Sequence, residues 1–222
     1  MQSVWRILKD IFFPQVCFSC GKKIESGLWC SPCEKKLRDV RLLDAAACDC
    51  PDLEGVLLLF RYEGAVRRVL QGAKFHGRRG FVACMAEEVQ HLEREGLIAG
   101  LPMFSQATTV VPVPTDPERA RHRGYELPSG IFHDWALAKH FYWRSALSRV
   151  RHTKPQYGLG RHERRANVKD CFRVTGEVGT ANVLLVDDIF TSGATMEEAA
   201  QILRAGGVKH VWALAFAGGG DS

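Results

Sequence analysis

The run at residues 183–195, VLLVDDIFTSGAT, constrains this chain more than any other stretch. Four consecutive aliphatic residues describe a strand buried on both faces, and Asp187 and Asp188 end it. A small-residue loop follows at once, and the good helix formers of residues 196–203 stand behind it. Such a loop at a helix N-terminus aims backbone N–H groups at a phosphate, helped by the hydroxyls of Thr191, Ser192 and Thr195. Gly193 and Ala194 keep side-chain bulk out of the way. Two carboxylates just before the loop repel phosphate but accept hydrogen bonds from the vicinal hydroxyls of a sugar. Phosphate plus diol describes a ribose 5-phosphate. No Lys-Ser/Thr pair follows the glycine and no GxGxxG is present, which excludes a nucleoside-triphosphate loop and a dinucleotide fingerprint.

Around this run, 222 residues with 46% hydrophobic and 25% charged positions allow a sizeable core without disulfides. Strand patterns at 55–62, 108–113, 145–150, 171–175, 181–189 and 210–217 alternate with helical patterns near 65–72, at 80–95 and from a basic turn to about His140. This alternation predicts an α/β fold with a largely parallel sheet flanked by helices. The expected division is residues 1–52 as an N-terminal helix and finger, and 53–222 as the α/β domain. No apolar run approaches the roughly 20 residues of a membrane span. The first residues, MQSVWRILKDIFFPQVC, read as an amphipathic helix rather than a secretory signal, with Val4, Ile7, Leu8, Ile11 and Phe12 on one face.

Cys17, Cys20, Cys30 and Cys33 form CxxC, nine residues, CxxC. Each two-residue gap lets a tight turn point two thiolates at one ion, and Gly21 supplies a turn residue after the first pair. Four thiolates close a tetrahedral shell, which describes structural zinc with no open position for a substrate. The redox reading of CxxC asks for a pair beside a strand and helix, and these pairs lie in a loop-rich region. Cys48 and Cys50 are either a damaged further pair or, the reading favoured here, plain loop residues. Cys84 and Cys171 read as isolated buried thiols.

Formal net charge is +5 and unevenly spread. Residues 61–80 hold six Lys/Arg against one Asp/Glu, and residues 117–173 hold thirteen against five, so the rest of the chain is net acidic. Either one basic surface meets phosphates or the arginines are scattered and solvated. Residues 151–170, RHTKPQYGLGRHERRANVKD, read as a long polar loop, a feature that is usually functional or mobile.

The 183–195 run resembles the signature of type I phosphoribosyltransferases, which bind phosphoribosyl pyrophosphate (PRPP) with Mg²⁺. Taken with the four-cysteine finger, RYEGAVRRVL and KFHGRRG, VVPVP and RARHRGY, and SRVRHTKPQYGLGRHERRANVKDCF, it is similar to the ComF family of competence and DNA-utilisation proteins. The likeness runs from Phe12 to about Ala217. It implies that Asp187 and Asp188 hold the ribose hydroxyls and that Thr191, Ser192, Gly193, Ala194 and Thr195 cradle the 5-phosphate. Pro114 and Thr115 would begin the pyrophosphate loop, with Arg119, Arg121 and Arg123 contacting pyrophosphate or nucleic acid. Residues 151–167 correspond to a closing flexible loop whose matching polar positions are Lys154, Gln156, Arg164, Arg165 and Asn167. Residues of about 55–80 would form the hood facing the acceptor, with Lys74 and Phe75 in its most recognisable stretch.

The resemblance further implies structural Zn, Mg²⁺ with PRPP, single-stranded DNA and a ComFA-type helicase partner. It places the protein in the cytoplasm, with a DNA-uptake complex at the inner face of the membrane. Three readings follow: a PRPP-binding protein that handles single-stranded DNA, an active transferase on a nucleobase-like acceptor without a DNA role, and a retired transferase that senses ligand. One departure bears on them. Where the family shows an RGFNQ-like run, Glu126 and Leu127 replace the amide pair. An acid beside a pyrophosphate site would repel it, so Glu126 is expected to weaken catalysis.

Overall fold

The computed structural model describes residues 16–98, 109–153, 158–178 and 182–219. The N-terminal amphipathic helix, Lys154 and Gln156 lie outside them. Strand β1 (Arg38–Leu43) runs antiparallel to β2 (Val56–Arg61). The other neighbours, β3 (Thr109–Pro112), β4 (Tyr142–Trp143), β7 (Asn182–Phe190) and β8 (His210–Gly218), are all parallel, in the order β1-β2-β8-β7-β3-β4. The two short strands β5 (Leu147–Arg149) and β6 (Phe172–Val174) pair with each other in a separate antiparallel ribbon.

Two-residue periodicity divides the core. Leu57, Leu59, Val110, Leu184, Val186, Leu214 and Phe216 face one side of the sheet, whereas Val56, Leu58, Val111, Val183, Leu185, Ala213 and Ala215 face the other. The first side is covered by α2 (Gly64–Phe75), α3 (Arg79–Arg94) and α5 (Leu127–Ala138). The second is covered by α7 (Ala194–Ala205), the last residue of α6 (Arg161–Val168) and the β5–β6 ribbon. After β3 the chain therefore passes over one face, and after β7 over the other. Loops that leave adjacent strands in opposite directions open a crevice at the carboxyl ends of those strands, where ligands bind in sheets of this kind.

The finger is not set apart from this core. Cys17, Leu28 and Trp29 are buried in the same cluster as α2, α3 and α5, and the Trp29 ring lies 5.6 Å from Phe60, itself stacked on Phe216 at 4.8 Å. Helix α1 (Ser31–Leu37) follows the last cysteine pair and leads directly into β1.

Several elements differ from the sequence expectation. The basic turn expected before the helix to about His140 is itself a helix, α4 (Pro117–Arg123), which ends where Gly124 adopts a left-handed conformation, and Pro128 opens α5. The polar loop at 151–170 contains α6, whose first turn is tied by the Gly160 N–H donating to the Glu163 carboxylate at 2.7 Å. The strand patterns at 145–150 and 171–175 pair with each other outside the main sheet. Strands β1 and β4 were not expected; each sits at an edge, where the periodic signal of a half-covered strand is weak.

Beneath the finger, Glu88 of α3 is buried at 7% exposure and faces Glu34 of α1. Arg38 pairs with both Glu34 and Glu95, and His91 lies 3.5 Å from Glu34 and 3.1 Å from Glu95. Burial first, and then the Glu34 charge, raise the Glu88 carboxyl from 4.5 to about 8. A carboxyl raised in the folded state stabilises the fold below its ordinary value and loses that contribution as pH climbs through about 8. Glu88→Gln removes this loss. In melting scans its Tm is expected to match wild type near pH 5 and exceed it at pH 9 by at least about 2–4 °C, the shift that roughly 1 kcal/mol produces in a chain of this size.

Candidate functional site

The end of β7 distributes its two acids by the same alternation that builds the core. Asp188 follows Leu184 and Val186 to the face covered by α2, and there its Oδ1 lies 2.9 Å from the Lys74 ammonium. It is only 6% exposed. Asp187 points to the other face, and its Oδ1 accepts the Asp188 backbone N–H at 2.8 Å. Burial and the adjacent Asp188 charge hold the Asp187 carboxyl well above the usual carboxylate range, against the opposing pull of Lys74.

Past Phe190 the chain turns through Thr191, Ser192 and Gly193 into α7. Gly193 has φ +74°, and a Cβ there would collide with Cys50 Sγ and sit 3.0 Å from the Phe190 ring, so only glycine fits. The loop thus brings the unsatisfied first-turn N–H groups of a twelve-residue helix to the crevice. The Ser192 hydroxyl is buried there with no hydrogen-bond partner among the described residues.

Opposite, β3 exits through Val113, Pro114, Thr115 and Asp116. Asp116 caps α4 by accepting the Glu118 and Arg119 N–H groups at 3.1 and 3.3 Å, and it also meets His152 Nδ1 at 2.9 Å. Its burial works to raise the carboxyl, but His152 and the Arg119 N–H bring it below the usual range, so it is ionised. Arg119 donates to the Thr153 carbonyl at 3.1 Å, and Arg123 to the Lys74 carbonyl at 3.1 Å. Arg164, on α6, brings a buried Nε that has no partner among the described residues.

Together these elements enclose a cleft of about 600 Å³. Of the sequence candidates, Lys74, Phe75, Pro114, Thr115, Arg119, Arg123, Arg164, Asp187, Asp188, Thr191 and Thr195 line it. Ser192, Gly193 and Ala194 line a small recess formed by the loop itself. Helical geometry separates the others. Arg119 and Arg123 are four residues apart and share a face of α4, whereas Arg121 is rotated away and exposed. Arg165 follows Arg164 by 100° of helix and donates instead to the Asp49 carbonyl. Asn167 is absent from the lining, and its carbonyl accepts from Arg151 at 3.1 Å.

Glu126 does not itself line the cleft, and Leu127 beside it is buried in the core as the first residue of α5, but the Glu126 charge is felt at Arg123, which does line it. Seven lining residues were not among the candidates: Tyr62, Gln71, Val113, Asp116, Arg149, Thr153 and Ile189. Only Asp116 carried a readable signal, an N-cap acid before Pro117. Five cationic and three acidic side chains face the cleft, an excess that suits an anionic ligand.

On the far side of the α2–α3 layer, the thiol sulfurs of Cys17, Cys20, Cys30 and Cys33 all lie within 4.8 Å of one another. Cys20 and Cys30 are 3.7 Å apart, close to the roughly 3.8 Å edge of a tetrahedron with Zn–S bonds of about 2.3 Å. Burial acts to raise the Cys17 thiol, but the backbone N–H groups of Cys20, Cys30 and Ser19 draw it down to about 6. The donor set therefore fits one zinc ion.

A family of phosphoribosyl transferase domains matches residues 137–221. Competence protein F of Haemophilus influenzae is 28% identical over 90% of both chains. DNA utilization protein YhgH of Escherichia coli K12 is 26% identical over 90% of this chain and 96% of its own. Competence protein ComFC of Streptococcus pneumoniae is 24% identical over 69% of this chain and 63% of its own.

Replacing one of four ligands opens the thiolate shell. Cys20→Ser is expected to lower bound zinc from one equivalent to well below half by metal analysis after dialysis, and to lower Tm. A full equivalent retained by the variant contradicts the four-ligand site.

Proposed function

We propose that this chain, which belongs to the ComF family, binds PRPP with Mg²⁺ in the cleft and serves the handling of single-stranded DNA. The observation that carries the first half is the pairing of consecutive acids, Asp188 buried and Asp187 half-buried, with a helix N-terminus at the end of β7, set against a cationic ledge. Asp187 and Asp188 accept hydrogen bonds from the ribose hydroxyls, and the Thr191–Thr195 N–H and hydroxyl groups receive the 5-phosphate. Arg119, Arg123 and Arg164 receive the pyrophosphate.

The residues fit Mg²⁺ by the chemistry of their donors, since two adjacent carboxylates, Asp188 buried and Asp187 half-buried, gain from a hard cation and PRPP brings further oxygens. When bound, Mg²⁺ neutralises charge on the pyrophosphate as it leaves. The protein's own part is to orient the anomeric carbon, to meet developing pyrophosphate charge with fixed guanidinium groups and to keep water out. Residues 151–153 are tied to the start of α4 by the Asp116–His152 and Arg119–Thr153 contacts.

Support for the DNA role comes from the names of the relatives and from the fold bringing two basic stretches together. Arg79 of α3 donates to the Gly124 carbonyl at 3.4 Å, and Arg79 and Arg123 flank the Tyr125 ring at 5.5 and 5.7 Å. Tyr125 in turn donates to the Ala73 carbonyl at 2.6 Å. Phe75, 70% exposed beside this patch, offers a face on which a base can stack. The same exposed ring supports the second reading, a transferase whose hood receives a nucleobase-like acceptor without DNA. No helix among the described residues is long and apolar enough to cross a membrane.

Calorimetry with Mg²⁺ and PRPP tests the first half. Wild type should bind, and the Asp187→Asn, Asp188→Asn double variant should bind at least about 10-fold more weakly, the effect of roughly 1.4 kcal/mol. Absence of binding by folded, zinc-loaded wild type overturns the reading. For the second half, changing Arg121 and Arg123 to Ala should weaken binding to unrelated single strands and lower the salt slope by about 0.7 for each phosphate that the protein ceases to neutralise. An unchanged slope excludes this patch as the DNA path.

A further inference from the structure

The connection from β1 to β2, residues 44–55, lines no part of the cleft, yet it packs against the back of the loop that joins β7 to α7. After one short turn of 3₁₀ helix (Ala46–Cys48) it passes through Asp49, at φ +54°, and folds Cys50 inward. Cys50 is fully buried, with Ala45 and Leu53, in the same cluster as Phe190 and Ala194. Its N–H donates to the Ala45 carbonyl at 2.9 Å, and its thiol approaches the Cys48 carbonyl at 3.5 Å. So held, the sulfur fills the space that a side chain at residue 193 would need. Gly193 is the N-cap residue of α7, and its left-handed backbone sets the direction of the N–H groups that follow.

The same connection is tied to both helices on that side of the sheet. The Asp52 N–H donates to Glu197 in the first turn of α7 at 3.3 Å, and the Asp52 carbonyl accepts from Arg204 in the last turn at 2.6 Å. Arg204 also reaches Glu54 at 3.0 Å, and Arg165 of α6 donates to the Asp49 carbonyl. The connection cannot withdraw from Gly193 without breaking these bonds. A phosphate held by backbone N–H groups gains most when those groups are fixed in advance, and close packing from behind fixes them.

We infer that Cys50 is a positioning residue for the 5-phosphate site, setting the loop between β7 and α7 from outside the cleft, with the Asp52–Glu197 bond holding the start of α7 to the same support. This rests on the PRPP reading of the cleft. Coupling of this kind is reciprocal, so a phosphate that holds the loop also holds residues 50–53.

The test uses the full, zinc-loaded chain and two separate probes, ribose 5-phosphate and inorganic pyrophosphate, each titrated calorimetrically with Mg²⁺ present. Cys50→Leu, which forces extra volume against Gly193, should lose about 10- to 100-fold in ribose 5-phosphate affinity, the range for a hydrogen bond to a charged group. Its pyrophosphate affinity should stay at the wild-type value. Cys50→Ser, close in size and able to donate to the Cys48 carbonyl, should bind both probes as wild type does. Glu197→Ala should weaken ribose 5-phosphate alone, and Glu197→Gln, which keeps an acceptor for the Asp52 N–H, should restore it; this pair decides the matter should Cys50→Leu not fold. In wild type, exchange of the Cys50, Asp52 and Leu53 amide hydrogens should slow when ribose 5-phosphate binds and not when pyrophosphate binds. Wild-type ribose 5-phosphate affinity in a folded Cys50→Leu overturns the inference and leaves the PRPP reading intact. Equal losses for both probes, or exchange that responds to both alike, also overturn it, since they indicate a general structural role. A wild type that binds neither probe overturns the PRPP reading itself, and this inference with it.

Discussion

Two carboxylates on consecutive residues at the buried end of a central strand are costly, and much of the surrounding structure meets that cost. Alternation sends Asp188 toward α2, where Lys74 meets it at 2.9 Å, and sends Asp187 toward the other face without a cation of its own among the described residues. That ion pair joins α2 to the end of β7, beside the apolar packing of Val66, Val69, Leu70 and Ala73 on the sheet. It also ties Arg123 to the same place, because Arg123 donates to the Lys74 carbonyl. The cleft is therefore organised around relieving negative charge on its floor and gathering positive charge on its walls, and a ligand carrying a diol at one end and phosphates at both is complementary to that arrangement.

The finger enters this arrangement through packing rather than through chemistry. Trp29, Phe60 and Phe216 form a continuous aromatic path from the cysteine cluster to the strand beside β7. Arg68 of α2 donates to the Phe18 carbonyl at 2.9 Å, and Phe18 meets Phe81 of α3 edge-on at 4.7 Å. A metal held by the four cysteines would fix residues 17–33 and so support the underside of α2, whose far end carries Lys74 and Phe75. Such an ion would lie away from the cleft and act on it only through packing.

The site was readable where chemistry follows local periodicity. The β7–loop–α7 unit is contiguous in the chain, so its acids, hydroxyls and glycine could be assigned from their order alone. The choice among the arginines could not. Arg119 and Arg123 reach the cleft and Arg121 does not, a distinction that depends on knowing that 117–123 is one helix and which face it buries. Arg164 and Arg165 were equal candidates until α6 turned one inward and the other toward Asp49. Arg149 left no trace, being one basic residue in a three-residue strand within a long basic stretch. Leu127 could not be told from the sequence to be a core residue, because its burial depends on where α5 packs.

What the amino-acid order determined by itself was everything set by near neighbours: a strand buried on both faces, the acids that end it, the helix start that follows, and two cysteine pairs at ligand spacing. Hydrogen bonding, side-chain alternation and the reach of a tight turn act over only a few residues, so their outcome is written locally. Tertiary structure decided which distant segments meet: Lys74 with Asp188, Arg119 with Thr153, and the finger with the sheet. Those meetings depend on the order of strands and on which face each connection crosses. That order is settled by burial summed over the whole chain and by the exclusion of alternatives, and no single segment carries it.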